Sequence, residues 1–148
     1  MMIEAMYQVI DNVADKSVGV GASPDDIRVA EATLGVSFPE SYRAFLRRYG
    51  WAVIGFNEFY GLGADVPHHL HLIRNTLVER TTMEPRIPHS LVPVLNDGAG
   101  NHYCLATERM VNGECPVVFW DHEQGPNQDP ITEGESFAEW IINYLRES

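Results

Sequence analysis

The chain has 148 residues, 45% hydrophobic and 10% aromatic, enough for one domain with a real core and unlike a disordered chain. Its 21 acidic and 10 basic residues give a net charge of −11, which argues against direct nucleic-acid binding, because phosphate contacts need a basic footprint. No apolar run approaches the roughly 20 residues of a membrane-spanning helix, and "MMIEAMYQVIDN" has no basic n-region or cleavage site, so a cytoplasmic protein is expected.

Residues 2–14 read as a first helix, with Ile3, Met6, Tyr7 and Ile10 at helical spacing. "KSVGVGAS" breaks it. In "SPDDIRVAEATLG", Ser23 can cap and Pro24 fits the first helical position. Asp25 and Asp26 favour the positive helix start, and Gly35 stops the helix. Ile27, Ala30 and Leu34 form its buried stripe. Pro39 opens the next helix, where Tyr42, Phe45, Leu46 and Tyr49 make an apolar face and Gly50 ends it.

"WAVIGFNEFYGLG" changes to a strand-like period and then a glycine turn. Residues 66–80 return to helical spacing through Val66, Leu70, Ile73 and Leu77. "LVPVL", "HYCLA" and "CPVVFWD" read as short strands, with a turn at Asn112-Gly113 before the third. "GPNQDPI" reads as loop and residues 135–146 as a last helix, with Phe137, Trp140, Ile141, Tyr144 and Leu145 inward. The order predicts an α+β fold, a mostly antiparallel sheet of short strands flanked by N-terminal helices and a C-terminal helix.

Candidate chemistry is sparse. His68 and His71 lie three apart, but zinc needs three or four ligands and HExxH is absent. The expected reading of His68, His69 and His71 is a solvated helix face, with metal binding there left open. Cys104 and Cys115 have no CxxC spacing and read as reduced thiols. "NDGAGNHYCL" lacks the Lys-Ser/Thr of a P-loop, the following helix of a dinucleotide loop and the acids of a calcium loop. What remains is a hairpin turn, with Asn96 and Asp97 bonding their own backbone and Gly98 and Gly100 taking positive φ. No catalytic residue, cofactor site or metal site is assigned, and the protein is expected not to be an enzyme.

The charge is uneven. Residues 110–148 hold eight acids and one base, a net of −7. A basic protein partner would be steered to that surface. Glu114, Asp121, Glu123 and Asp129 are the expected contact residues, extended by Glu133.

"I..AE..LGV.FPESYR.FL..YG" over residues 27–50, then "NDGAGNHYCL", then "ECPVVFWDHE" over residues 114–123 resembles the SUKH superfamily, in its branch of yeast cell-wall-synthesis-regulator homologues. The motif residues are Leu34, Gly35, Pro39, Tyr42, Phe45 and Gly50, then Asp97, Gly98, Gly100 and Cys104. Asp97, Gly98 and Gly100 match the family's turn, and Cys104 its "YCL" strand. Trp51 departs from it, standing where small residues are common. The resemblance implies one SUKH-like domain over residues 1–148, with helices flanking an antiparallel sheet. It implies a cytosolic immunity protein that binds and neutralises a cognate toxin domain, often a nuclease, with no cofactor and no catalytic residues. Two other readings stand beside it: a regulatory scaffold for an endogenous partner, and a metal-dependent enzyme using His68 and His71.

Overall fold

A computed structural model describes residues 2–147. Seven antiparallel strands follow one another across a single sheet in chain order: β1 (Lys16–Val18), β2 (Ala52–Ile54), β3 (Asn57–Phe59), β4 (Leu91–Asn96), β5 (His102–Ala106), β6 (Val117–Trp120) and β7 (Ile131–Gly134). Five α-helices accompany it: α1 (Met2–Asp11), α2 (Pro24–Leu34), α3 (Glu40–Tyr49), α4 (Leu72–Thr81) and α5 (Phe137–Glu147). The fold is therefore α+β, as the element order predicts.

The local reasons match the capping logic. The Ser23 hydroxyl accepts from Asp26 N at 3.0 Å, and the Asp26 carboxylate accepts from Ser23 N at 3.2 Å, a complete capping box. Gly35 ends α2 at φ 70°. In α3, Tyr42, Phe45, Leu46 and Tyr49 are all buried and meet Met6 and Ile10 of α1 and Phe137 and Ile141 of α5 in one core. Strand residues Phe59, Val92, Leu95, Leu105 and Val117 complete that core. Because successive strand side chains point to opposite faces, Cys104 and Val118 lie on the other face, in a smaller cluster with Ile87, Leu91, Ala106 and Trp120. Both faces of β4 and β5 are thus covered, which is why "LVPVL" reads as an unbroken apolar run.

Three local expectations change. The helix placed from residue 66 begins at Leu72. Before it stands a one-turn 3-10 helix, His68–Leu70, and then His71, whose Nδ1 accepts from Ile73 N at 3.3 Å as a cap. "WAVIGFNEFYGLG" is a hairpin, not one strand, because Gly55 takes φ 60° and reverses the chain. β1 and β7 replace segments expected to be irregular. Their side chains are mostly exposed, so neither carries an apolar pattern.

Candidate functional site: the hairpin-tip end of the sheet

The strand registers sort the loops into two ends. Pairing of Asn96 with His102, and of His102 with Trp120, puts the 97–101 turn beside residues 121–124. Pairing of Phe59 with Leu95 brings the Gly55-Phe56 tip to the same end, and β7 begins there at Ile131. Asp121, Glu123 and Asp129 therefore share one end with Asp97. Glu114 lies at the other end of β6.

The 97–101 turn is held from within. Asn96 Oδ1 accepts from Gly98 N at 2.7 Å. Asp97 Oδ1 accepts from Ala99 N at 2.8 Å and Asn101 N at 3.1 Å, and Oδ2 from Asn101 Nδ2 at 2.9 Å. Gly98 and Gly100 take φ 87° and 91°. Burial opposes ionisation of Asp97, yet these donors outweigh it and hold the carboxyl below its ordinary range. The turn thus presents a fixed carboxylate. Asn101 Oδ1 also accepts from His122 N at 3.1 Å, tying the turn to β6.

Asp121 caps the 3-10 turn His122–Gln124, accepting from Glu123 N at 2.9 Å and Gln124 Nε2 at 3.2 Å. Glu123 and Asp129 are exposed. Glu114 is placed differently. Its carboxylate accepts from Ser41 N at 3.0 Å and Ser41 Oγ at 2.8 Å, and Ser41 Oγ accepts from Ala138 N at 3.1 Å. Pro39 supplies no side-chain cap to α3, so Glu114 supplies it from across the chain, and Ser41 passes the junction on to the start of α5. Burial raises the Glu114 carboxyl.

Sequence reasoning missed Phe56. It stands fully exposed at the hairpin tip between two clefts. One, of about 350 Å³, includes Val13 and Leu145; the other, of about 520 Å³, includes Tyr60, His69, Asn96 and Asp97. The apolar run around Phe56 reads as strand, and only the Gly-Phe-Asn sequence hints at a tip.

The remaining motif residues have structural places. Leu34, Tyr42, Phe45 and Cys104 are buried, and Gly50 ends α3 at φ 76°. Burial raises both thiols, Cys115 to about 12. Neither is a thiolate at neutral pH. His69 pairs with Glu58 at 2.9 Å while His71 caps α4. Among the described residues no group of three or more His, Cys, Asp or Glu side chains is arranged to hold a metal.

Below the tip a polar group is buried. His102 is 3% exposed. Its Nε2 is 3.4 Å from Asn96 Nδ2, and its Nδ1, 3.8 Å from Glu79 Oε1, has no hydrogen-bond partner among the described residues. Burial lowers its pKa from 6.5 to about 4, with Asp97 pulling the other way and His122 adding to the drop. The unfolded chain takes this proton near pH 6.5 and the folded one near pH 4. The stability of the neutral ring is therefore complete above pH 6.5 and is lost as pH falls towards 4. Burial raises the carboxyl of neighbouring Glu79, which acts with the opposite sign. In urea denaturation, wild-type stability should fall by about 3 kcal/mol more than that of His102→Gln between pH 7 and pH 4. Parallel profiles would mean that His102 titrates as an open histidine.

A family model described as "SMI1-KNR4 cell-wall" (SUKH_5) matches residues 4–146. A Bacillus subtilis (strain 168) protein, the SPbeta prophage-derived uncharacterized protein YokK, is 23% identical over 148 residues, covering 83% of this chain and 74% of that protein. No helix is long and apolar enough to cross a membrane, among the described residues.

Proposed function

Because the chain belongs to the SUKH family, which includes immunity proteins and is generally non-enzymatic, we propose that it is an immunity-type protein. It binds a cognate toxin domain in the cytoplasm and blocks it stoichiometrically. The observation that carries this is the hairpin-tip end, where Asp97 shares a cleft with the exposed ring of Phe56 and Asp121, Glu123 and Asp129 continue the acidic charge along the same end of the sheet. An apolar anchor in a charged rim is the usual anatomy of a specific protein interface. Its charge selects a basic partner. A nuclease domain that grips phosphate is basic at its active cleft, and an acidic surface can occupy that cleft in place of nucleic acid.

The test is co-purification with the product of the adjacent gene. A 1:1 complex is expected at about 0.05 M salt, weakening towards about 0.5 M as screening shortens the reach of the charges. A host that survives the neighbouring toxin without this protein would overturn the reading. The family's cell-wall description supports a second reading, in which the same end holds an endogenous regulatory partner. Recovery of a host protein and no toxin would favour it.

A further inference from the structure

The last turns of α5 leave a cleft of about 420 Å³, lined by Tyr103, Glu133, Trp140, Asn143, Tyr144 and Glu147. Three rings build it. Tyr103 and Trp140 have centroids 5.2 Å apart, Trp140 and Tyr144 5.4 Å, and Tyr103 and Tyr144 5.2 Å. Trp140 is buried and makes the floor; Tyr103 and Tyr144 are half-buried. Glu133 and Glu147 are exposed at the rim. The side chain of Phe119 extends the aromatic surface, 5.1 Å from Tyr103, and Ile131, its β7 partner, is exposed.

Aromatic faces carry negative charge density and the rim carries full negative charges, so both favour a cation. The tyrosines register this field. Burial first, then Tyr144, Glu133, Asp97 and Glu147, push the Tyr103 hydroxyl up to about 12. Arg146 is the only base in the last turn of α5, and against it stand Glu133, Glu147 and Asp97. A planar guanidinium suits the cleft better than a compact ammonium, because it stacks on a ring while its edges donate to carboxylates.

We propose that this groove receives an arginine side chain of a basic protein partner, its guanidinium stacked on the tyrosine rings and donating to Glu133 and Glu147. The inference takes its partner from the function proposed above, but the groove's chemistry is testable without one. The probe is N-acetyl-arginine amide, compared with the neutral, nearly isosteric N-acetyl-citrulline amide. Binding is followed by NMR at the Trp140 indole N–H.

A saturable shift is expected for the arginine probe, with the citrulline probe about tenfold weaker. The double variant Glu133→Gln/Glu147→Gln changes only exposed rim positions and should fold normally. It should bring arginine binding close to the citrulline level. Equal binding of the two probes, or no saturable shift at Trp140, would overturn the proposal. So would self-association that Glu133→Gln/Glu147→Gln leaves intact and Tyr144→Ala abolishes, because the occupant would then be a second copy of this chain. Arginine binding without toxin co-purification would sink the immunity reading and keep the groove. Toxin co-purification without arginine binding would do the reverse.

Discussion

Gly61→Ala is expected to destabilise the protein by about 4 kcal/mol or more, lowering the melting temperature by about 10 °C or more. A Cβ at position 61 would fall on the carbonyl oxygen of Gly50, 2.7 Å from its carbon and 2.9 Å from Trp51 Cα. All three are backbone atoms at the end of α3 and cannot turn aside as a side chain would. The position is also fixed along its own chain. Gly61 N donates to Leu70 O at 2.9 Å, Leu72 N donates to Gly61 O at 2.8 Å, and Leu62 N donates to Gly50 O at 2.9 Å. Three segments therefore meet at this glycine: the end of α3, the exit from β3 and the start of α4. Gly35→Ala is the control. Gly35 has φ 70° but nothing within 4 Å of the added carbon, so only backbone strain is paid there, about 1 kcal/mol. Thermal melts of the two variants should differ clearly. Equal, small losses would mean that the approach of residues 50 and 61 is looser than described.

The contrast also marks what the sequence could carry. α2 and α3 are legible because their signals are local: Ser23-Pro24-Asp25-Asp26 at one start, Gly35 and Gly50 at the stops, and a clean stripe through Tyr42, Phe45, Leu46 and Tyr49. The β4–β5 hairpin is legible because Asn96, Asp97, Gly98 and Gly100 satisfy a turn by themselves. β7 is not, because Ile131, Thr132 and Glu133 are all exposed on an edge strand and leave no alternation to read. The start of α4 is hidden for another reason: a 3-10 turn keeps roughly helical spacing through His68–Leu70. The spacing with Trp140 and Ile141 predicts that Tyr144 faces inward, and its half-buried ring does pack against the core. Periodicity separates the inner face of a helix from its outer face, but it does not say where the covering layer stops. Here the last turn of α5 outruns that layer, and Tyr144 becomes the wall of a groove. Glu114 illustrates the same limit. A charge count over residues 110–148 groups it with Asp121. A strand advances roughly 3.3 Å per residue, however, so β6 alone puts about 10 Å between its ends, with Glu114 before one end and Asp121 beyond the other.

That separation yields the second large effect, on association. Glu123→Lys combined with Asp129→Lys is expected to slow binding of the basic partner by about tenfold to a hundredfold at low salt and to flatten its salt dependence. Dissociation should change far less, because exposed rim charges steer the encounter more than they hold the complex. Asp121 needs a gentler change. Its carboxylate caps the turn at residues 122–124, so Asp121→Asn keeps an acceptor oxygen for the backbone Glu123 N while removing the charge and the exposed acceptor of Gln124 Nε2. It should slow association by a smaller factor without loosening the turn. Glu114→Ala should behave in the opposite way. It leaves Ser41 N and Oγ without their acceptor at the buried start of α3 and loosens the link to Ala138. A loss of about 2 kcal/mol in stability is expected, with the association rate within about twofold of the wild type. Stopped-flow association at two salt concentrations, beside urea denaturation of each variant, reads both quantities. If Glu114→Ala slows binding as much as the Glu123→Lys/Asp129→Lys pair while both stay folded, the contact is spread over both ends of β6. The partner would then have to approach along the whole sheet edge at β7, not onto the hairpin tips.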